Sequence, residues 1–327
     1  MKIGKVPENV LKRSVMKQLH YKRDEVILGP GIGEDCAALA LAEDEILVMS
    51  TDPITGTAKD IGKLAIQITA NDLASAGAEP IGVMLTILLP DGTREIALKR
   101  IMEQMECACR EAKMQILGGH TEVTAVVNQP VVNVAGVAKA KKGSLISTAG
   151  ARAGMDIVVS KWVGIEGTMI FAKEKEAELK EHFPADFVDT AIGFDRYLSV
   201  VPEAAVATQS SVAAMHDVTE GGLFGALWEM AEASGVGLEI DLKKIPIRQE
   251  TVEICEYFDV NPYGLISSGM MLMASADGNA LVLALQEAGI PATVIGKATE
   301  GNDRVIIRDE ERRFLEPPKT DELYKVL

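Results

Sequence analysis

Several acidic residues of this chain stand where a carboxylate is awkward to place. Asp72 follows Asn71 inside a run, 60–76, that is otherwise mostly small or apolar: Leu64, Ala65, Ile66, Ile68, Ala70, Leu73, Ala74 and Ala76. The spacing predicts a largely buried helix, where a carboxylate is costly unless paired, hydrogen-bonded or metal-bound. Two readings stand level here: a metal-bound Asp72, or a carboxylate satisfied by a neighbouring helix N-terminus or by a lysine such as Lys63. Asp217 ends a predicted strand, just ahead of ThrGluGlyGlyLeu (219–223), the turn into a helix. Ligand-binding groups use such positions, but so do ordinary helix N-caps, the simpler reading of Asp217 taken alone. Asp52, in the ThrAspPro step that closes another strand, meets the same alternatives.

The segment GlyProGlyIleGlyGluAsp (29–35) places Gly29, Gly31 and Gly33 before the acidic pair Glu34 and Asp35. Glycines let backbone N–H groups approach an anion, so the segment fits either a phosphate cradle or a plain tight turn. No GxxxxGK[ST] occurs in the chain, and the glycine spacing does not match a dinucleotide fingerprint. Taken together, Glu34, Asp35, Asp52, Asp72 and Asp217 lie at strand ends or in an apolar helix, beside glycines and small residues. Magnesium takes hard oxygen ligands and is commonly held by a few carboxylates plus substrate phosphates. The chemistry this pattern suits is phosphate handling through a metal, without a P-loop.

Around these residues the chain alternates strands and helices. A helix is expected from Pro7 to about Leu19, then ValIleLeu at 26–28, paired strands at 36–42 and 46–50, and an aperiodic loop at 54–60. The helix 60–76 follows, with a strand at 81–89, a long helix at 93–113, and strands at 114–118 and 130–138. The second half is read as strands at 156–160, 212–216, 237–241, 270–274, 292–297 and 303–308, with helices near 185–209, 220–234, 249–258 and 278–289. The basic, small-residue stretch 139–153 is the expected junction between a domain at 1–150 and a second at 151–327. With 327 residues, 47% of them hydrophobic, the chain can fill two cores. The mixture argues for two α+β domains rather than one doubly wound sheet.

The formal net charge is −15 and the pI about 4.8. No Lys/Arg cluster is present to displace counterions from a nucleic-acid backbone, so no nucleic-acid partner is expected. Cys36, Cys107, Cys109 and Cys255 form neither a CxxC pair nor a disulfide framework, which suits a reducing compartment. Cys107 and Cys109 fall on different faces of their helix and read as packing residues. The opening MKIGKVPENVLKRS lacks an apolar signal region, and no apolar run reaches membrane-spanning length. The expectation is a soluble, cytoplasmic protein with no membrane partner.

Five ordered blocks carry a resemblance. GlyIleGlyGluAspCysAlaAlaLeu (31–39), SerThrAspPro (50–53), AsnAspLeuAlaSerAlaGlyAlaGluPro (71–80), GlyGlyHisThrGluValThr (118–124) and HisAspValThrGluGlyGlyLeu (216–223) are similar to the signature blocks of the AIR synthase superfamily. SerSerGlyMetMetLeuMetAla (267–274) resembles a later family strand. The group includes AIR synthase, thiamine-monophosphate kinase, selenophosphate synthetase and the hydrogenase maturation factor HypE, whose branch is the nearest. The resemblance implies a two-domain fold with the N-terminal domain as the core of a homodimer and ATP in a cleft between domains. It implies that Asp35, Asp72 and Asp217 bind magnesium on the phosphates, with Glu34 and Asp52 close by. The glycines at 29–33, Thr51, Asn71, Gly118 and Gly119 are expected to border the nucleotide, with Asp72 and Asp217 central to catalysis. Family members use ATP to phosphorylate a substrate oxygen, which then leaves or keeps the phosphoryl group.

The chain departs from its relatives at His120, where many carry Asp or Glu; Glu122 is its nearest acidic substitute. HypE proteins end in a cysteine that carries the substrate group, whereas this sequence closes AspGluLeuTyrLysValLeu, and its last cysteine is Cys255. The expected function is therefore a magnesium- and ATP-dependent, HypE-like enzyme acting on a small-molecule or protein-borne substrate rather than on its own tail. Thiamine-monophosphate kinase is one alternative, although AspValThrGluGlyGly differs from the AspIleSerAspGly usual in that branch. A nucleotide-binding accessory protein without catalysis is the other.

Overall fold

Strand β4 (Glu45–Ile54) shows why the first sheet has two different faces. From Ile46 to Ile54 its side chains alternate between half-buried and exposed, so one face is covered and the other is open. The computed structural model describes residues 1–31, 36–54, 60–317 and 320–326. It contains two units, Met1–Ala74 with Ala78–Leu145, and Ser75–Gly77 with Ile146–Leu327.

In the first unit, β1 (Gly4–Lys5), β4, β5 (Glu79–Pro90), β6 (Gln115–Thr124) and β7 (Val131–Lys141) form a five-stranded sheet in the order β1-β6-β5-β7-β4. Only β5 and β6 run parallel, joined through helix α3 (Glu95–Glu111); the other pairs are antiparallel. Two short strands, β2 (Val26–Leu28) and β3 (Ala38–Leu39), pair separately. Helix α2 (Ile61–Ser75) buries Leu64, Ala65, Ile66, Ala70 and Leu73, and α3 buries Leu98, Met102 and Met105. The inward strand residues Val83, Leu85, Ile87, Val132 and Val134 are buried as well. The opposite sheet face leaves Leu47 49% and Met49 62% exposed.

In the second unit, β8 (Asp156–Ser160), β9 (Val212–Asp217), β10 (Gly237–Asp241), β11 (Met271–Ser275), β12 (Ala292–Thr299), β13 (Arg304–Arg308) and β14 (Glu311–Phe314) make a seven-stranded sheet, ordered β14-β13-β10-β12-β8-β11-β9. Strand β11 is buried along its full length, which explains why MetLeuMetAla reads as an unbroken apolar run rather than an alternation. One core joins Ile157, Val159, Leu238, Ile240, Leu272 and Ile295 to Leu223, Leu227 and Met230 of helix α8 (Gly222–Ser234). Helices α4 (Ile165–Glu174), α5 (Glu176–His182), α6 (Ala185–Ile192), α7 (Val201–Ala207), α9 (Gln249–Tyr257) and α10 (Gly278–Glu287) complete this unit. Lys161, just after β8, is anchored inside it: its ammonium lies 2.6 Å from Glu203 and donates to the carbonyls of Tyr197, Ser199 and Gly269.

Three local expectations need correction. The N-terminal helix is only an α turn, α1 (Glu8–Val10), passing into a π segment and a 3-10 turn that ends at Gln18. The strands near 36–42 and 46–50 do not pair with each other. Strand β3 pairs with β2, while β4 pairs with the distant β7 from Glu45↔Lys141 to Ile54↔Val132. The single helix expected at 185–209 is broken into α6, a 3-10 turn (Gly193–Tyr197) and α7, where Pro202 sits in the first turn. Among the described residues, no helix is long and apolar enough to cross a membrane.

Candidate functional site

Helix α2 and strand β4 bring two of the acidic blocks together. The Ser50 hydroxyl donates to Asp72 Oδ2 at 2.5 Å, which fixes the last turns of α2 over β4. Strand alternation puts Asp52 on the same face as Ser50, two residues further along. Thr51 points to the opposite, exposed face, where its hydroxyl accepts a hydrogen bond from Asn133 Nδ2 at 3.3 Å. Burial within α2 differs from expectation. Asn71 is fully buried, whereas Asp72 is only half-buried, at the helix edge that faces β4.

Close packing makes room for this approach. Gly136 on β7, opposite Ser50, lies under α2, where a Cβ would come within 2.3 Å of Thr69. Gly31 is half-buried, while Gly33, Glu34 and Asp35, with most of the 54–60 loop, lie outside the described residues. Among the described residues, no three His, Cys, Asp or Glu side chains gather as a metal-holding group.

Gly118 and Gly119 sit on β6 beside Met84 and Leu85 of β5. Gly119 has φ +147, and a Cβ there would meet the Leu85 carbonyl oxygen at 2.0 Å. Strand packing alone therefore demands glycine at this position. His120 is exposed, and its Nε2 lies 3.1 Å from Glu122 Oε2. Cys109 is buried, but Cys107 is exposed, so the packing reading fails for Cys107; Cys255 is buried in α9, where burial pushes its thiol up to about 12.

In the second unit, Asp217 closes β9 and is 5% exposed. It does not cap the following helix. The N-cap of α8 is Gly221, in a left-handed conformation with φ +84, which has no side chain of its own to cap the helix. The helix-cap reading of Asp217 therefore fails, because the chain passes through residues 218–221 before α8 begins at Gly222. Gly222 is left-handed too, with φ +62, and a Cβ there would lie 2.6 Å from the Tyr263 carbonyl oxygen.

Two acids near Asp217 escaped the sequence reading. Glu166 lies on α4 and is 3% exposed. Burial above all pushes its carboxyl up to about 7; Ser268 opposes the rise, and the charges of Asp321 and Asp217 add to it. Asp321 is 2% exposed and is likewise pushed up by burial, against the pull of three backbone N–H groups. Glu166 carried a legible signal, a lone carboxylate in the apolar run 165–172, the same anomaly that marks Asp72. Nothing in the local sequence distinguishes Asp321.

The Asp72 carboxylate, oriented by the Ser50 hydroxyl, offers the hard oxygen donor that magnesium takes. Comparison with known proteins agrees on the kind of molecule. Residues 33–140 match the AIR synthase related protein N-terminal domain, and residues 152–309 match the AIR synthase related protein C-terminal domain. The chain belongs to the AIR synthase related family, a two-domain α+β class. Within it the sequence falls in the HypE-like branch. It is 32% identical over 279 residues to the carbamoyl dehydratase HypE of Cupriavidus necator, covering 82% of this chain and 77% of that protein. A Methanocaldococcus jannaschii protein named for hydrogenase expression and formation is 29% identical over 99% of this chain and 97% of its own length. A crystal structure of the hydrogenase maturation protein HypE in complex with ATP shares the fold, with a TM-score of 0.82 at 22% identity, covering 98% of this chain and 97% of that one.

Proposed function

We propose that this protein is a magnesium- and ATP-dependent dehydratase of the HypE-like branch, acting on a carbamoyl group carried by a thiol. The observation that carries the reading is the Ser50–Asp72 contact. It joins two family blocks, 50–53 and 71–80, into one carboxylate-bearing site. Membership in a branch with a named carbamoyl dehydratase supplies the substrate class.

The reading assigns Asp35, Asp72 and Asp217 to magnesium, as the family resemblance implies, and gives Glu34 and Asp52 supporting places. Bound magnesium would neutralise phosphate charge and orient the γ-phosphoryl group. Ser50 holds the Asp72 carboxylate in one orientation by donating to Oδ2. Gly31 and the glycine at 33 are assigned to the phosphates, and Asn71 to the support of Asp72 from inside the helix. In the overall reaction the carbamoyl oxygen takes the γ-phosphoryl group from ATP and releases ADP. Loss of that oxygen as phosphate, with both nitrogen protons, leaves a thiocyanate. The open apolar face of the first sheet, with Leu47 and Met49 exposed, supports a homodimer through this unit.

The test is calorimetry of ATP binding with and without magnesium, on the wild type and on Asp72→Asn. Magnesium-dependent binding that the variant nearly abolishes, with its circular dichroism unchanged, is the expected result. Unchanged affinity removes Asp72 from the site. A screen of ATP hydrolysis against carbamoylated thiols, thiamine phosphate and purine intermediates then separates the dehydratase from the kinase. ADP release that depends on thiamine phosphate overturns the dehydratase reading.

A further inference from the structure

Asp321 reaches back across the second unit to the turn that follows Asp217. Its Oδ2 accepts a hydrogen bond from the Gly221 N–H at 2.7 Å, a partner 100 residues away in sequence. Its Oδ1 accepts from the N–H groups of Leu323 at 2.8 Å and Ile266 at 3.2 Å. The next residue, Glu322, accepts from the Asn261 N–H at 2.9 Å. A carboxylate that accepts several backbone N–H bonds inside the fold is a strong, directional tie.

The turn it grips is tied at its two ends by backbone hydrogen bonds. Val218 donates to the Met270 carbonyl at 2.9 Å, and Gly222 donates to the Thr219 carbonyl at 3.0 Å. At its end the chain passes through two consecutive left-handed glycines, Gly221 and Gly222, the residue type with the widest backbone freedom. Gly221 is held at both ends: its N–H by Asp321, and its carbonyl by the Gly225 N–H at 3.1 Å, the first bond of α8. Three residues separate Gly221 from Asp217, so its conformation limits where the end of β9 can sit.

We propose that Asp321 is a positioning residue for Asp217, setting the Val218–Gly222 turn so that the Asp217 carboxylate is held ready for its cation. This inference rests on the reading above that Asp217 serves magnesium. The two oxygens of Asp321 divide the work. Oδ1 ties the local segment and the 266 loop, while Oδ2 is given to Gly221. Asparagine can therefore keep the Oδ1 bonds, but it turns an amide N–H₂ toward the Gly221 N–H, donor against donor.

The test is a magnesium titration of ATP binding with the full chain and with Asp321→Asn. Outer ligand-supporting residues typically change metal affinity or activity by about 10–100-fold, and the half-saturating magnesium concentration of the variant is expected to rise at least ~10-fold. Its circular dichroism should match the wild type, and ATP affinity at saturating magnesium should fall much less. A folded variant with wild-type magnesium dependence overturns the proposal. So does a variant that melts earlier while keeping that dependence, since Asp321 is then only a structural tie. If the variant does not fold, hydrogen exchange at the Gly221 amide of the wild type decides. Protection that increases with magnesium and ADP supports the proposal, and exchange at the rate of an open turn overturns it. Wild-type protein that binds no ATP with magnesium refutes the functional reading itself, a separate result.

Discussion

Replacing Glu166 by glutamine should stabilise the metal-free protein, and most strongly at alkaline pH. Glu166 is 3% exposed, and its carboxyl is pushed from 4.5 to about 7 by burial, with smaller contributions from Asp321 and Asp217. An acid whose pKa is higher in the folded than in the unfolded state holds its proton more tightly when folded. The folded protein therefore binds more protons across the window from 4.5 to about 7. Stability falls as pH rises through that window and levels off above it. The displacement corresponds to roughly 3 kcal/mol lost on the alkaline side. Glutamine keeps the side-chain shape and stays neutral at every pH. Urea unfolding in EDTA should show the variant and the wild type nearly equal at about pH 5. By about pH 8 they should diverge by about 2–3 kcal/mol in favour of the variant. Stability curves that stay parallel across the range would refute the claim that a buried, proton-holding Glu166 destabilises the ionised protein.

Four further outcomes are expected. Ser50→Ala removes the donor to Asp72 and should weaken magnesium-dependent ATP binding about 10-fold by calorimetry, while unfolding free energy changes by about 1 kcal/mol or less. Gly222→Ala places a Cβ 2.6 Å from the Tyr263 carbonyl oxygen at φ +62 and should cost at least about 2 kcal/mol in denaturant unfolding. Lys161→Met strands the fully buried Glu203 without its ammonium partner and should cost about 3–5 kcal/mol at neutral pH by the same measurement. Met49→Asp on the open face of the first sheet should convert a dimer into a 35.0 kDa monomer in sedimentation; an unchanged dimer would place the interface elsewhere.

Some of this protein is written in short stretches of sequence. The repeat of apolar residues at helical spacing fixes α2, α3 and α8, because burial of one helix face is a local property of the pattern. The unbroken run 271–274 marks a strand buried on both faces, and the ordered acidic blocks mark the family. Tertiary structure decided what depends on partners far along the chain. Strand β4 takes β7 rather than its sequence neighbour, since strand pairing is chosen by the whole sheet and not by either strand alone. The same holds for single residues. Gly119 stands against the backbone of β5, so its glycine is required by packing whether or not phosphate is near. Asp217 looks like a helix cap in sequence, but α8 begins only at Gly222, after the left-handed Gly221, and leaves it at the strand end. Ser50 meets Asp72 only because α2 crosses β4, and Asp321 meets Gly221 only because the chain returns across 100 residues. A hydrogen bond needs two groups within about 3 Å, and sequence spacing sets that distance only for near neighbours.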